Sequence, residues 1–203
     1  MSAQEGSNLN EVRTTPEPEE RPSLWSMDVR KVVYSALGIA LYAILNIIFN
    51  VIPLPNAAGG AVSLRPGVVI PLFFGSLFGP VVGLLVGGIG NIISDLVTYH
   101  NIYWNWEIGN ALFGLIAGLL VAFTLGRYRT NRAIILAEIV GVIAVIVGTG
   151  FGGYTDIWVS KYSFGAASSE FLVAAISDII NAVILLPILI VAYNAAVRRR
   201  GRA

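Results

Sequence analysis

Asn91, Asp95 and Tyr99 recur at four-residue intervals inside a long apolar run. In a helix that spacing puts an amide, a carboxyl and a phenol on one face. Trp104, Trp106, Glu107 and Asn110 follow closely, and Glu170, Ser177, Asp178 and Asn181 sit in the last apolar run. Asn46 and Asn50, one turn apart, close the first. Side chains of these types accept and donate hydrogen bonds and stack on flat rings, so the chemistry they suit is binding. Bond-breaking chemistry has no matching set. The chain has no cysteine, and His100 is its one histidine. Gly-x-Ser-x-Gly, His-Glu-x-x-His and Walker patterns are all absent from it. Gly83, Gly87, Gly88 and Gly90 lie inside an apolar stretch, where they read as a close-packing helix face and not as a phosphate cradle. We therefore expect no enzyme, no metal site, no cofactor and no nucleic-acid partner.

Composition identifies the solvent around these groups. Of 203 residues, 56% are hydrophobic and 12% charged, and the mean hydropathy is +0.75. Soluble domains carry roughly 25% charged residues. Half that proportion cannot cover a water-facing surface, so lipid must cover much of this one. The expected class is all-α, an integral membrane protein.

Breakers divide the apolar sequence. Runs cover about 32–52, 66–79, 80–99, 107–125, 133–151 and 170–197, separated by segments rich in proline, glycine, aromatic or charged residues. As one helix, 66–99 would be about 50 Å long against a hydrocarbon core of about 30 Å. Gly79-Pro80 splits it, because proline suits the first turn of a new helix. Basic residues then set the span count. Six spans with both termini in the cytoplasm put Arg30, Lys31, Arg127, Arg129, Arg132 and the C-terminal arginines inside, with only Arg65 and Lys161 outside, as the positive-inside tendency requires. The expected organisation is a disordered tail over 1–28, a six-helix membrane domain over 29–198 and a basic tail over 199–203. The tail's Glu5, Glu11, Glu17, Glu19 and Glu20 are unlike the basic start of a cleavable signal. A multi-pass protein of the cell membrane is expected.

In this topology the intramembrane polar groups gather in the extracytoplasmic half. Polar side chains at membrane depth are costly and mark functional sites by default. The candidate ligand-binding residues are Asn91, Asp95, Tyr99, Trp104, Trp106, Glu107, Asn110, Asp178 and Asn181. Glu138, nearer the cytoplasm, is expected to pair locally with Arg132 or Arg129. On the first span Ala36 and Ala40 form a small-xxx-small pair, extended by Ala43, of the kind that lets another helix approach closely.

Taken in order, these motifs resemble the substrate-binding S components of energy-coupling factor (ECF) vitamin transporters over about 32–197. The Ala36-x-x-x-Ala40 pair matches that family's first-helix motif, and Gly75, Gly79-Pro80 and Gly83 resemble its G-x-x-x-GP-x-x-G turn. Pro53 to Asn56 ahead of Arg65-Pro66, Asn91 and Asp95, Trp104 and Trp106, and Gly109-Asn110 with Gly114 look most like a riboflavin-type branch. The resemblance implies a six-helix subunit that captures a vitamin or precursor from outside, under a lid formed by the loop after span one. It also implies docking, through Ala36 and Ala40 and with Ala43 less directly, on a transmembrane coupling subunit carried by two cytoplasmic ATPases. The residues alone leave two other readings open: a self-sufficient proton-coupled transporter using Asp95, Glu107 or Asp178, and a membrane scaffold without a ligand.

Overall fold

A computed structural model of the protein describes residues 23–59 and 62–200. Asp28 opens the first helix, its carboxylate accepting from the Lys31 amide at 2.8 Å and so capping a terminal N–H that has no helical partner. Helix α1 (Val29–Phe49) has 21 residues, about the 30 Å of a hydrocarbon core. A 3₁₀ turn, Pro66–Val68, leads into α2 (Val69–Phe78). Gly79, at φ 105°, turns the chain where a side chain would be strained, and Pro80 begins α3 (Pro80–Tyr99). Next come α4 (Trp104–Leu119), the short α5 (Val121–Thr124), α6 (Asn131–Val159) and α7 (Phe164–Arg200). The described residues contain no strand beyond an isolated antiparallel bridge between Pro53 and Ser63. The expected all-α class holds.

Five segments are long and apolar enough to cross a membrane: α1, α3, α4 with α5, α6 and α7. The sixth apolar segment, Pro66–Phe78, is shorter. Protein surrounds it: α2 packs on α1, α3, α4 and α7, and eight of its ten residues are buried. A short helix that its neighbours enclose need not match lipid thickness. Around it α1 packs on α3, α3 on α4, α4 on α6 and α6 on α7. The outer faces stay apolar and exposed, with Val33, Leu37, Leu41 and Ile44 on α1 and Ile176, Ile180, Ile184 and Ile188 on α7.

Glycines bring the central helices together at backbone distance. A Cβ on Gly83 of α3 would collide with the Gly114 backbone of α4, and one on Gly75 of α2 would meet the same carbonyl. On the other side of α4, Gly109 lies against Gly148 of α6. The glycine-rich run of α3 is thus a packing face, as its sequence suggests.

Two expectations need correction. The segment 152–169, expected as a loop, is largely helical: α6 continues to Val159 and α7 starts at Phe164. Gly152 and Gly153 do not break α6. Gly152 lies against the Trp106 ring, which a Cβ would displace, and Gly153 packs tightly on Phe171. Helix α4 begins at Trp104, with Trp106, Glu107 and Asn110 in its first two turns, as expected for the start of that span. Glu138 makes no ion pair with Arg132 or Arg129, because the one ion pair among the described residues is Arg65–Asp178. Most of the expected tail over 1–28, and residues 201–203 of the basic tail, lie outside the described residues.

Candidate functional site

At one end of the bundle, opposite the basic 127–132 connection, the helices enclose a chamber of about 210 Å³. Polar side chains reach it from several elements. From α3 come Asn91, Asp95 and Tyr99, spaced by single turns so that one helical face supplies all three. Trp106 comes from α4, Asp156 and Ser160 from the end of α6, and Glu170 from the start of α7.

The connection between α1 and α2 covers the chamber. It folds back on itself through Leu54 N–H to Val62 O at 2.7 Å and Leu64 N–H to Ile52 O at 2.9 Å. The Ser63 hydroxyl bonds the Asn50 carbonyl at 3.1 Å and lies 3.3 Å from the Tyr99 hydroxyl. The Ala57 amide donates to the Ser169 hydroxyl of α7 at 2.8 Å. Val62, Ser63 and Arg65 of this flap face the chamber.

A network organises the walls. Asn91 donates through one amide nitrogen to Asp95 at 3.1 Å and to Glu107 at 2.9 Å, and accepts from Asn46 of α1 at 3.2 Å. Below it the Tyr42 hydroxyl donates to Asn110 at 2.5 Å, and Asn110 donates to the Trp106 carbonyl at 2.8 Å. The Trp106 indole donates to Asp156 at 2.8 Å, and Asp156 accepts a second bond from Ser160 at 2.6 Å. Arg65 donates to Asp178 at 2.6 Å and lies over the Trp106 ring, 5.8 Å from its centroid, a cation–π distance. Burial opposes the Arg65 charge, but the attraction and hydrogen bond of Asp178 prevail and raise its pKa. In the connection before α7, burial and the nearby Glu170 and Asp156 carboxyls raise the Tyr162 phenol above its ordinary value.

Of the residues singled out in the sequence, Asn91, Asp95, Tyr99 and Trp106 line the chamber. Glu107 and Asn110 stand behind the wall and hold Asn91 and Tyr42. Asp178 is fully buried and anchors Arg65. Trp104 is 51% exposed and outside the lining, and Asn181 bonds only the Ser177 carbonyl of its own helix. On α1, Ala36 and Ala40 are exposed, whereas Ala43 is buried and faces the bundle. Arg65, Ser63, Asp156, Ser160, Tyr103 and Tyr162 also line the chamber without being among the sequence candidates, as do Glu170 and Asn50, which the sequence marks only as polar residues at membrane depth. Asp156 and Ser160 carry the same one-turn spacing as Asn91 and Asp95, a signal that only the helical reading of 152–159 brings out.

A polytopic membrane protein with a chamber lined by polar and aromatic side chains at one end has the form of a small-molecule binding site. Comparison with known proteins makes the class specific. A family model described as the ECF-type riboflavin transporter, S component, matches residues 26–195, and the chain belongs to that family. It is a membrane subunit of the substrate-binding kind in ECF transporters. The chain is also similar to a UPF0397 protein of Streptococcus gordonii (strain Challis), 26% identical over 177 residues that cover 85% of this chain and 92% of the relative.

Proposed function

We propose that the chain captures a vitamin or vitamin precursor with a planar heterocyclic ring from outside the cell. It then delivers this ligand to a transmembrane coupling subunit driven by two cytoplasmic ATPases. The observation that carries this reading is the chamber, where carboxyls, amides and aromatic rings converge beneath a hydrogen-bonded flap at one end of an otherwise apolar bundle. Tyrosine and tryptophan rings offer flat faces for stacking, and Asn91, Asp95 and Glu170 offer polar edges that orient a ligand. Family membership supports the transport role, and the exposed Ala36–Ala40 strip suits close docking of another helix.

In this reading the protein crosses the cytoplasmic membrane six times with both termini inside, counting Pro66–Phe78 as a short span. Arg127, Arg129, Arg132, Arg198 and Arg199 then face the cytoplasm, and the chamber opens outward. Cysteine placed at Ser163 is expected to react with an impermeant thiol reagent from outside, and cysteine at Thr130 only from inside. The opposite labelling would reject this orientation.

The functional test is uptake into liposomes. The isolated chain should not accumulate ligand when given a proton gradient, but should do so with its coupling subunit, ATPases and internal ATP. Gradient-driven uptake by the chain alone would instead make it a self-sufficient transporter.

A further inference from the structure

The chamber holds more acidic than basic side chains, and its one basic group is already engaged. Arg65 bonds Asp178 and covers the Trp106 ring. Four other carboxyls remain: Asp95, Asp156 and Glu170 in the wall, with Glu107 behind. Neutral donors serve them unevenly. Asp156 has the Trp106 indole and the Ser160 hydroxyl. Asp95 and Glu107 share a single amide nitrogen of Asn91. Glu170 lines the chamber at 5% exposure, and its Oε2 has no hydrogen-bond partner. The Oε1 of Glu107, also at 5% exposure, has none either. No three acidic or histidine side chains among the described residues converge as a metal site.

A buried carboxylate without a countercharge is strongly disfavoured. A ligand bringing positive charge and N–H donors relieves that penalty, and one bringing negative charge adds to it. The rings of Tyr99, Tyr103 and Tyr162 reinforce the preference, because an aromatic face attracts a cation. Size narrows the choice further. About 210 Å³ falls below the roughly 300–1,000 Å³ of drug-sized sites.

From these observations we infer that the ligand is a compact, positively charged or amino-substituted aromatic heterocycle, with its cationic or N–H edge toward Glu170 and Asp95. A neutral tricyclic ring or an anionic vitamin fits this chamber less well. The inference rests on the capture role proposed above and names the class of ligand captured.

The experiment titrates the purified parent protein by calorimetry with two probes of the inferred class, thiamine and 4-amino-5-hydroxymethyl-2-methylpyrimidine. Riboflavin represents neutral tricycles, and nicotinate and biotin represent anions. At least one probe of the inferred class should bind roughly 10- to 150-fold more tightly than riboflavin or either anion, the ratio expected for one charge-assisted hydrogen bond. Glu170→Gln and Asp95→Asn, which keep shape and remove charge, should each weaken that probe by a similar factor. Tighter binding of riboflavin or an anion would overturn the inferred ligand class and leave the capture role standing. So would a cationic probe whose affinity neither substitution changes. If no probe binds, the ligand class is rejected, and uptake in the reconstituted complex decides the capture role separately.

Discussion

Arg65→Met is expected to lower the stability of the protein by about 3–5 kcal/mol, the usual cost of removing one partner from a buried ion pair. Arg65 and Asp178 have side chains 12% and 1% exposed and meet at 2.6 Å. The other Asp178 oxygen, Oδ1, has no hydrogen-bond partner, so Arg65 is the main compensation that carboxylate has. The pair joins the flap to the middle of α7 across 113 residues of sequence. Replacing both members with apolar residues, Arg65→Met with Asp178→Leu, should recover most of the loss, because a well-packed apolar pair is often as stable as a buried ionic one. Ligand binding should not recover, since Arg65 also forms part of the chamber wall. Thermal unfolding in detergent, followed with ligand titration, separates these effects. A single variant that melts with the parent would show that the pair contributes little to the fold.

Ala40→Trp is expected to act in the opposite way, abolishing uptake while ligand affinity stays within about threefold. Ala36 and Ala40 lie one turn apart on the exposed side of α1, and the buried side of that helix carries Tyr42, Asn46 and Gly38. A tryptophan at Ala40 projects away from the chamber and into the path of a docking helix, where small residues allow close approach. The same change at Gly38 would fail differently, since a Cβ there already collides with Val86 and Phe74. Uptake by the complete transporter and binding by the isolated chain, measured on one preparation, make the comparison. Loss of both activities would assign Ala40 to folding, and normal uptake would remove it from the interface.

These two substitutions reflect how unevenly the structure can be read from sequence. Membrane insertion, the break at Gly79-Pro80 and the short enclosed α2 follow from hydropathy, proline geometry and length, all local properties. The polar face of α3 follows from its one-turn spacing, and three of its side chains do line the chamber. Trp104 and Trp106 could not both do so, because residues two apart on a helix point to nearly opposite sides; only Trp106 turns inward. The end of α6 was obscured because glycines and aromatic residues have two roles. In isolation Gly152 and Gly153 signal a loop, whereas in the fold Gly152 is thin enough to pass the Trp106 ring and Gly153 packs tightly on Phe171. The partnership of Arg65 with Asp178 has no local signal, since it exists only once the flap folds over α7.

This chain, by itself, is expected to hold a small heterocyclic ligand in the chamber beneath the flap. Native mass spectrometry of the protein purified from vitamin-containing medium tests it most directly. One small molecule should be bound per chain, retained through gentle removal of detergent and largely lost in Asp95→Asn. Monodisperse parent protein that carries only lipid and detergent, and still binds nothing after incubation with a vitamin mixture, would contradict it.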